Sequence, residues 1–169
     1  GTIHVITRRT TPRIEAGVAS GKVQMTKHMD YMDYAGIRDQ VADADAVFWA
    51  IGTSSLGVEE DTYRKIHIDF PVAFVQAWLQ TSTKPHPSFH YISSSDISED
   101  ASAMWARLKF QAEVALIKEA DGSKLRVICY RPDYIGPTEE EAHLGQKLLY
   151  GFRSEEHTSE LQSPDHLVC

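Results

Sequence analysis

Two side chains set the chemical question for this sequence. Trp105 and Lys109 stand four residues apart in WARLK, a spacing that puts both on one face of a helix. A lysine ammonium can donate to hydroxyls and can lower the pKa of a neighbouring acid. An indole N–H donates a hydrogen bond but has no usable acid–base chemistry near neutral pH. Just upstream, HYISSS supplies Tyr91 and three consecutive hydroxyls, Ser93, Ser94 and Ser95. Serines at such a place either meet a ligand or simply cap the next element. No His, Cys and Asp cluster has the spacing of a metal site.

These residues need a frame, and the stretch from Phe89 to Pro137 provides one. It reads as strand (Phe89 to Ser93), serine turn, helix (Ala101 to Glu119), strand (Leu125 to Tyr130) and a proline-pinned turn. That is a βαβ unit, which places a ligand beyond the carboxyl ends of its strands. The helix is expected to bury Met104, Leu108, Ala112, Ala115 and Leu116, and Gly122 ends it.

Upstream, Thr2 to Thr7 alternates and is β-branched, so it reads as a strand. Pro12 opens a short helix through Ala19, and Lys22 to His28 reads as a second strand. Ala35 to Ala42 resembles a helix. Ala46 to Ile51 is a continuous apolar run, expected to be covered on both faces. Apolar residues then recur at Ile66, Phe70, Phe74 and Leu79, predicting an amphipathic helix that Pro71 kinks or restarts. Strand and helix in repeated alternation predict an α/β domain of the doubly wound, parallel-sheet class.

Composition narrows the classes. The chain has 169 residues, 42% hydrophobic and 24% charged, with a formal net charge of −7. That is an ordinary globular balance, and it argues against a nucleic-acid binder, which needs a basic face. No apolar run reaches the roughly 20 residues of a membrane span. With only Cys129 and Cys169, no disulfide framework is expected, and a reducing, cytoplasmic setting is the default. The last segment, Arg153 to Cys169, stands apart. RSEEHTSELQS and the closing HLVC resemble the translation of a short-read sequencing adapter. The expected division is therefore a partial domain at 1–152 and a non-biological tail at 153–169. Without the tail, 16 basic residues face 20 acidic ones, a net of −4.

Taken together, the strand-end arginines, AVFWAIGTSS, HYISSS, WARLKFQAEVAL and RPDYIGP resemble the short-chain dehydrogenase/reductases, in particular their atypical, NAD-dependent epimerase/dehydratase-like branch. The resemblance runs from about Thr2 to Phe152 and implies a Rossmann-like, NAD(P)-binding fold. Such proteins open with a strand and a GxxGxxG turn that cradles the dinucleotide pyrophosphate at a helix N-terminus. No stretch of this sequence has that pattern, so the chain is expected to start at the family's second strand. In the family's 3-2-1-4-5-6 order the absent strand is the central one. Two exposed strand edges, poor folding and weak dinucleotide binding by the chain on its own are the consequences expected. Recovering the genomic reading frame on both sides would test this and the adapter reading together.

The resemblance also implies roles. Arg8 and Arg9 fall where the adenosine ribose is read, and guanidinium groups there suit a 2′-phosphate, favouring NADP over NAD. Asp30 would accept from the adenine amino group, although an Asx-turn explains it equally. Gly52 and Thr53 end a strand where backbone approaches the cofactor. Ser93, Ser94 and Ser95 occupy the substrate-orienting position, with Asp96 beside them. Lys109 would bind the nicotinamide ribose, and Pro132 and Tyr134 would wall the nicotinamide. The family's YxxxK tyrosine is Trp105 here, so proton transfer falls to Tyr91, Tyr134 or a serine.

Three readings follow. The chain belongs to an oxidoreductase or epimerase acting on a carbonyl or sugar-like small molecule, without a nucleic-acid or membrane partner. Alternatively, it is a catalytically inactive dinucleotide-binding regulator or redox sensor. Thirdly, a parallel α/β domain of another class carries similar turns.

Overall fold

The computed structural model describes residues 1–133. Tyr134 and the 153–169 segment, on which two of the expectations fall, lie outside the described residues. The elements are β1 (Ile3–Thr7), α1 (Pro12–Ala19), β2 (Val23–Lys27), α2 (Arg38–Val41), β3 (Ala46–Trp49), α3 (Glu60–Arg64), a π turn (Lys65–Asp69), α4 (Phe70–Thr81), β4 (Ser88–Ile92), α5 (Met104–Ala120) and β5 (Arg126–Tyr130). Gly1–Pro132 form one compact unit, and the description below is of that unit.

All strand pairs are parallel, as the α/β alternation predicts, but they form two sheets. One is β1–β2 and the other is β3–β4–β5. The ladder runs Ile3↔Val23 to Thr7↔Lys27 in the first, and Trp49↔Tyr91 and Tyr91↔Cys129 align across the second. β1 and β3 are not paired among the described residues, and the resemblance would put the family's central strand between them.

Local chemistry explains most element ends. The hydroxyl of Thr11 accepts the Ile14 N–H at 3.3 Å and Pro12 follows it, so α1 starts with a side-chain cap and a pre-set φ. α1 then lies close on β2 at Gly17, where an added Cβ would come within 2.6 Å of a Val23 methyl. At α5 the helix begins at Met104 rather than Ala101. Ala103 offers no side-chain cap, and the Arg107 guanidinium holds the Ala101 and Ser102 carbonyls at 3.1 and 3.0 Å, outside the helix. α2 is only four residues long, shorter than the expected Ala35 to Ala42. The Asp33 carboxylate holds the Ala35 N–H at 2.9 Å in a turn, which competes with helix at its start.

Pro71 stands in the first turn of α4, where the α-helix restarts after the π turn, as expected. α3, the π turn and α4 run on without interruption from Glu60 to Thr81. A proline has no N–H for the carbonyl four residues back, which is that of His67. The chain accommodates this by widening one turn, so that the Phe70 N–H reaches Lys65 O instead. The freed His67 carbonyl accepts the Tyr91 hydroxyl at 3.3 Å.

The core lies between the β3–β4–β5 sheet and helices α4 and α5, around Trp49, Phe74, Val75, Trp78, Phe89, Tyr91, Leu108, Ala112 and Leu116. Of the expected α5 set, Leu108, Ala112 and Leu116 are buried, while Met104 and Ala115 are partly so. Ala106 and Glu113, which periodicity did not select, are buried with them. Coverage of β3 on both faces does not hold. Trp49 is buried, but Phe48 points to the other side and is 69% exposed. There it stacks on His90 (4.4 Å), which in turn stacks on Tyr130 (5.8 Å), an open aromatic row across three strands. No helix of the described residues is long and apolar enough to cross a membrane.

Candidate functional site

The carboxyl ends of β3, β4 and β5 bring six of the expected residues together: Gly52, Thr53, Tyr91, Ser93, Lys109 and Pro132. Lys109 projects from α5 onto the end of β4, where its Nζ donates to Ile92 O at 2.9 Å and Ser93 O at 3.4 Å. It also lies 5.7 Å from the centre of the Tyr91 ring. Burial lowers its pKa, and Glu113, one turn further along the helix, opposes that shift. Lys109 is thus held at a strand end rather than left in solvent. Trp105 packs against the edge of the core.

The serine turn is an extension of the ladder. Ser93 N–H donates to Tyr130 O at 2.7 Å and Ser95 N–H to Pro132 O at 3.2 Å, which carries β4–β5 pairing past the strand ends. Ser93 is 4% exposed, yet its Oγ is buried with no hydrogen-bond partner. Buried hydroxyls are normally paired. Ser94 is half-buried beside it, and Asp96 is exposed.

Tyr91 is turned into the core, 1% exposed, with its hydroxyl donating to His67 O. Burial is the largest cause of its raised pKa, followed by Tyr63, Cys129 and Glu113. Gly52 and Thr53 meet His67, a residue that sequence reasoning missed. His67 is 4% exposed, stacks on Tyr63 at 4.1 Å, and places Nε2 3.3 Å from both Thr53 N and Thr53 O. Its signal in the sequence is Pro71, four residues on, whose missing N–H forces the turn at His67.

A second missed pair is Glu113 with Arg131. The guanidinium takes both carboxylate oxygens, through Nε at 3.1 and 3.2 Å and through Nη2, and ties the end of β5 to α5. This bidentate contact fixes the backbone just before Pro132.

The remaining candidates gather at the carboxyl ends of the other sheet. The Arg8 guanidinium lies 5.6 Å from the centre of the Tyr31 ring. Tyr31 in turn meets Trp49 at 6.4 Å and Phe70 at 5.5 Å, so the ring links the end of β1 to β3 and α4. Arg9 is exposed, and its backbone N–H and C=O both bond the Thr7 hydroxyl. One Asp30 oxygen accepts the Met32 N–H at 2.9 Å, which is an Asx-turn. A cleft of about 280 Å³ between residues 32–38 and the Ala73–Gln80 face of α4 holds none of the candidate residues. Among the described residues, no group of three His, Cys, Asp or Glu could hold a metal ion.

Do these residues suit a nicotinamide dinucleotide? The orphaned Ser93 Oγ and a lysine held in place with N–H capacity to spare fit a ribose or carbonyl oxygen at the end of β4. The glycine-rich pyrophosphate cradle is not in this sequence. The fit is to the nicotinamide–ribose half of such a site.

No family model and no curated protein matches the sequence. Among solved structures, the chain is similar to UDP-glucuronic acid 4-epimerase from Bacillus cereus in complex with NAD, with a TM-score of 0.67 at 12% identity over 91% of this chain. It spans 56% of that protein's length. A short-chain dehydrogenase/reductase from Saccharomyces cerevisiae gives 0.64 at 12% identity, over 91% of this chain and 72% of that one. RMD from Pseudomonas aeruginosa, complexed with NADPH, gives 0.59 at 16% identity, over 93% and 64%. These likenesses, with the all-parallel α/β organisation, give this chain a Rossmann-like fold similar to that of the short-chain dehydrogenase/reductases and NAD-dependent epimerases.

Proposed function

We propose that the chain is the nucleotide-binding part of an NAD(P)-dependent oxidoreductase or epimerase that acts on a carbonyl or sugar-like substrate. The observation that carries this reading is the end of β4, where Lys109 is held by two carbonyls beside the unpartnered Ser93 hydroxyl. In this reading Lys109 and Ser93 hold the nicotinamide ribose, with Gly52 and Thr53 backing the cofactor and Pro132 and Tyr134 walling the ring. Arg8 and Arg9 take the 2′-phosphate of NADP, and Asp30 meets the adenine amino group. The bound cofactor supplies the hydride. Proton transfer falls to Ser94, Ser95 or Tyr134, because the Tyr91 hydroxyl already donates to His67 O and Trp105 has no proton to exchange.

The test is a fluorescence titration of the complete gene product with NADPH and NADH, in the parent and in Arg8→Ala/Arg9→Ala. NADPH affinity is expected to fall by about tenfold or more in the variant while NADH affinity changes little, since only the 2′-phosphate is lost as a partner. Equal losses would overturn the NADP preference, and no binding of either would overturn the function. Tight binding without turnover over a carbonyl and sugar-nucleotide panel would leave the regulator, which the indole at position 105 favours.

A further inference from the structure

Gly52 was expected to be glycine so that a cofactor can approach. The structure adds a second reason. A Cβ on Gly52 would stand 3.1 Å from Cε1 of His67, so what the missing side chain admits is the imidazole. We propose that His67 is the positioning residue of the Gly52–Thr53 turn, its neutral imidazole pinning the Thr53 peptide at the end of β3 to the π turn and, through the His67 carbonyl, to β4. The proposal rests on the reading above insofar as that turn faces the cofactor.

Four observations converge on it. His67 sits in the only π turn among the described residues, and π turns inside α-helices often mark functional positions. Its side chain reaches across to the strand end, with Nε2 3.3 Å from Thr53 N and O alike. Its backbone carbonyl, freed by Pro71, is taken by the Tyr91 hydroxyl. Stacking on Tyr63 at 4.1 Å leaves the ring little room to yield. One residue thus joins α3, the π turn, β3 and β4 at the place where Lys109 also meets the backbone of β4.

The protonation state follows from the surroundings. The groups facing the ring are the Lys109 ammonium from α5, the Tyr63 ring from α3 and the Thr53 peptide at the end of β3, while the Tyr91 hydroxyl from β4 bonds the backbone carbonyl of the same residue. Burial first, and then the Lys109 cation, push the imidazole pKa down to about 4, while the Thr53 contact opposes them. At neutral pH the ring is uncharged, and in its Nδ1–H tautomer Nε2 accepts the Thr53 N–H. The contact that opposes the shift is the Nε2–H of the charged ring donating to the Thr53 carbonyl, also at 3.3 Å. Protonation would place a hydrogen on Nε2, end the bond from the Thr53 N–H and leave the ring to donate to the Thr53 carbonyl instead.

The experiment is nuclear magnetic resonance on the full chain, reading the His67 ring nitrogens and Thr53 amide exchange corrected for its intrinsic rate. In the parent, Nε2 is expected to report as the acceptor at pH 7, and Thr53 protection is expected to be lost at the same pH midpoint as ring protonation. Separate midpoints, or an unprotected Thr53 at pH 7, would overturn the proposal without recourse to any variant. His67→Phe keeps a flat ring but no acceptor, and should speed Thr53 exchange by about tenfold. His67→Gln can place an amide oxygen near Nε2 and should restore protection, whatever either does to the melting temperature. Equal exchange in the two variants would make His67 a packing residue only. NADPH affinity is then compared in the same variants. In the complete gene product, failure of the parent to bind NADPH counts against the function, whereas the exchange results judge the latch alone.

Discussion

Two βαβ units of the same topology lie in this molecule, and they are held by different means. β1–α1–β2 and β4–α5–β5 each pair two parallel five-residue strands around one helix. No residue from Gly1 to Asp30 is buried, and α1, eight residues long, buries none of its side chains. α5, with 17 residues, buries five and closes over Phe89 and Tyr91. In the first unit the ties are polar and peripheral. His4 and Thr26 meet at 2.8 Å, Thr26 donates to Gln40 at 2.8 Å, and Arg8 rests over Tyr31. A ladder of hydrogen bonds holds strands in register, but removal of apolar area from water is what stabilises a sheet. The second unit has that stabilisation within the described residues, whereas of the first only Ile6 packs against the core, and that partly.

The largest contrast should come from truncating the shared core of the second unit. Trp78 is fully buried and donates Nε1–H to Val41 O at 2.9 Å, so Trp78→Ala should cost about 3–5 kcal/mol in urea unfolding. A loss below about 1 kcal/mol would mean that α4 does not anchor this core. Next comes the ion pair at the end of β5. The Glu113 side chain is 5% exposed and that of Arg131 46%, so the two truncations are unequal. Arg131→Ala strands a buried carboxylate and should cost about 2–3 kcal/mol, more than Glu113→Ala, which leaves a cation that water can reach. The reverse order would place the burial on the wrong partner.

Acid should weaken the core around the second unit through His67, in the π turn that packs on it. Its pKa is lowered from 6.5 to about 4, so between those values the unfolded chain binds a proton that the folded chain refuses. Stability must then fall as pH falls through that window, by up to about 1.4 kcal/mol per pH unit. His67→Gln should flatten the dependence of the urea midpoint on pH there, and an unchanged slope would assign it to other groups. The smallest effect belongs to the first unit. Ile3 and Val18 are 60% and 44% exposed, so replacing either by Ala should shift stability by less than about 0.5 kcal/mol. A larger loss would show apolar support that the described residues do not contain.

Much of this was legible in the residues. Pattern alone placed β1, β2, β3, β4 and β5 to within two residues, and identified the face of α5 through Leu108, Ala112 and Leu116. These signals are local, because alternation and three-to-four spacing record which side of one element meets the core. Less legible were features that depend on a partner distant in the chain. Burial of Glu113 became tolerable only through Arg131, 18 residues on, and an acidic residue on a helix face reads as solvent-facing until its partner is seen.

The sequence by itself determined a parallel α/β chain, the helical turn that sets Lys109 after Trp105, and the placing of both in a βαβ unit with the serine turn. It also determined that the indole cannot exchange a proton, which is a property of the side chain in any fold. Tertiary structure alone decided that Lys109 caps the end of β4, that the Tyr91 hydroxyl is spent on a carbonyl freed by Pro71, and that Gly52 makes room for His67. Those outcomes depend on atoms brought within a few ångströms by strand pairing and helix packing, and neighbours in the chain do not specify such distances.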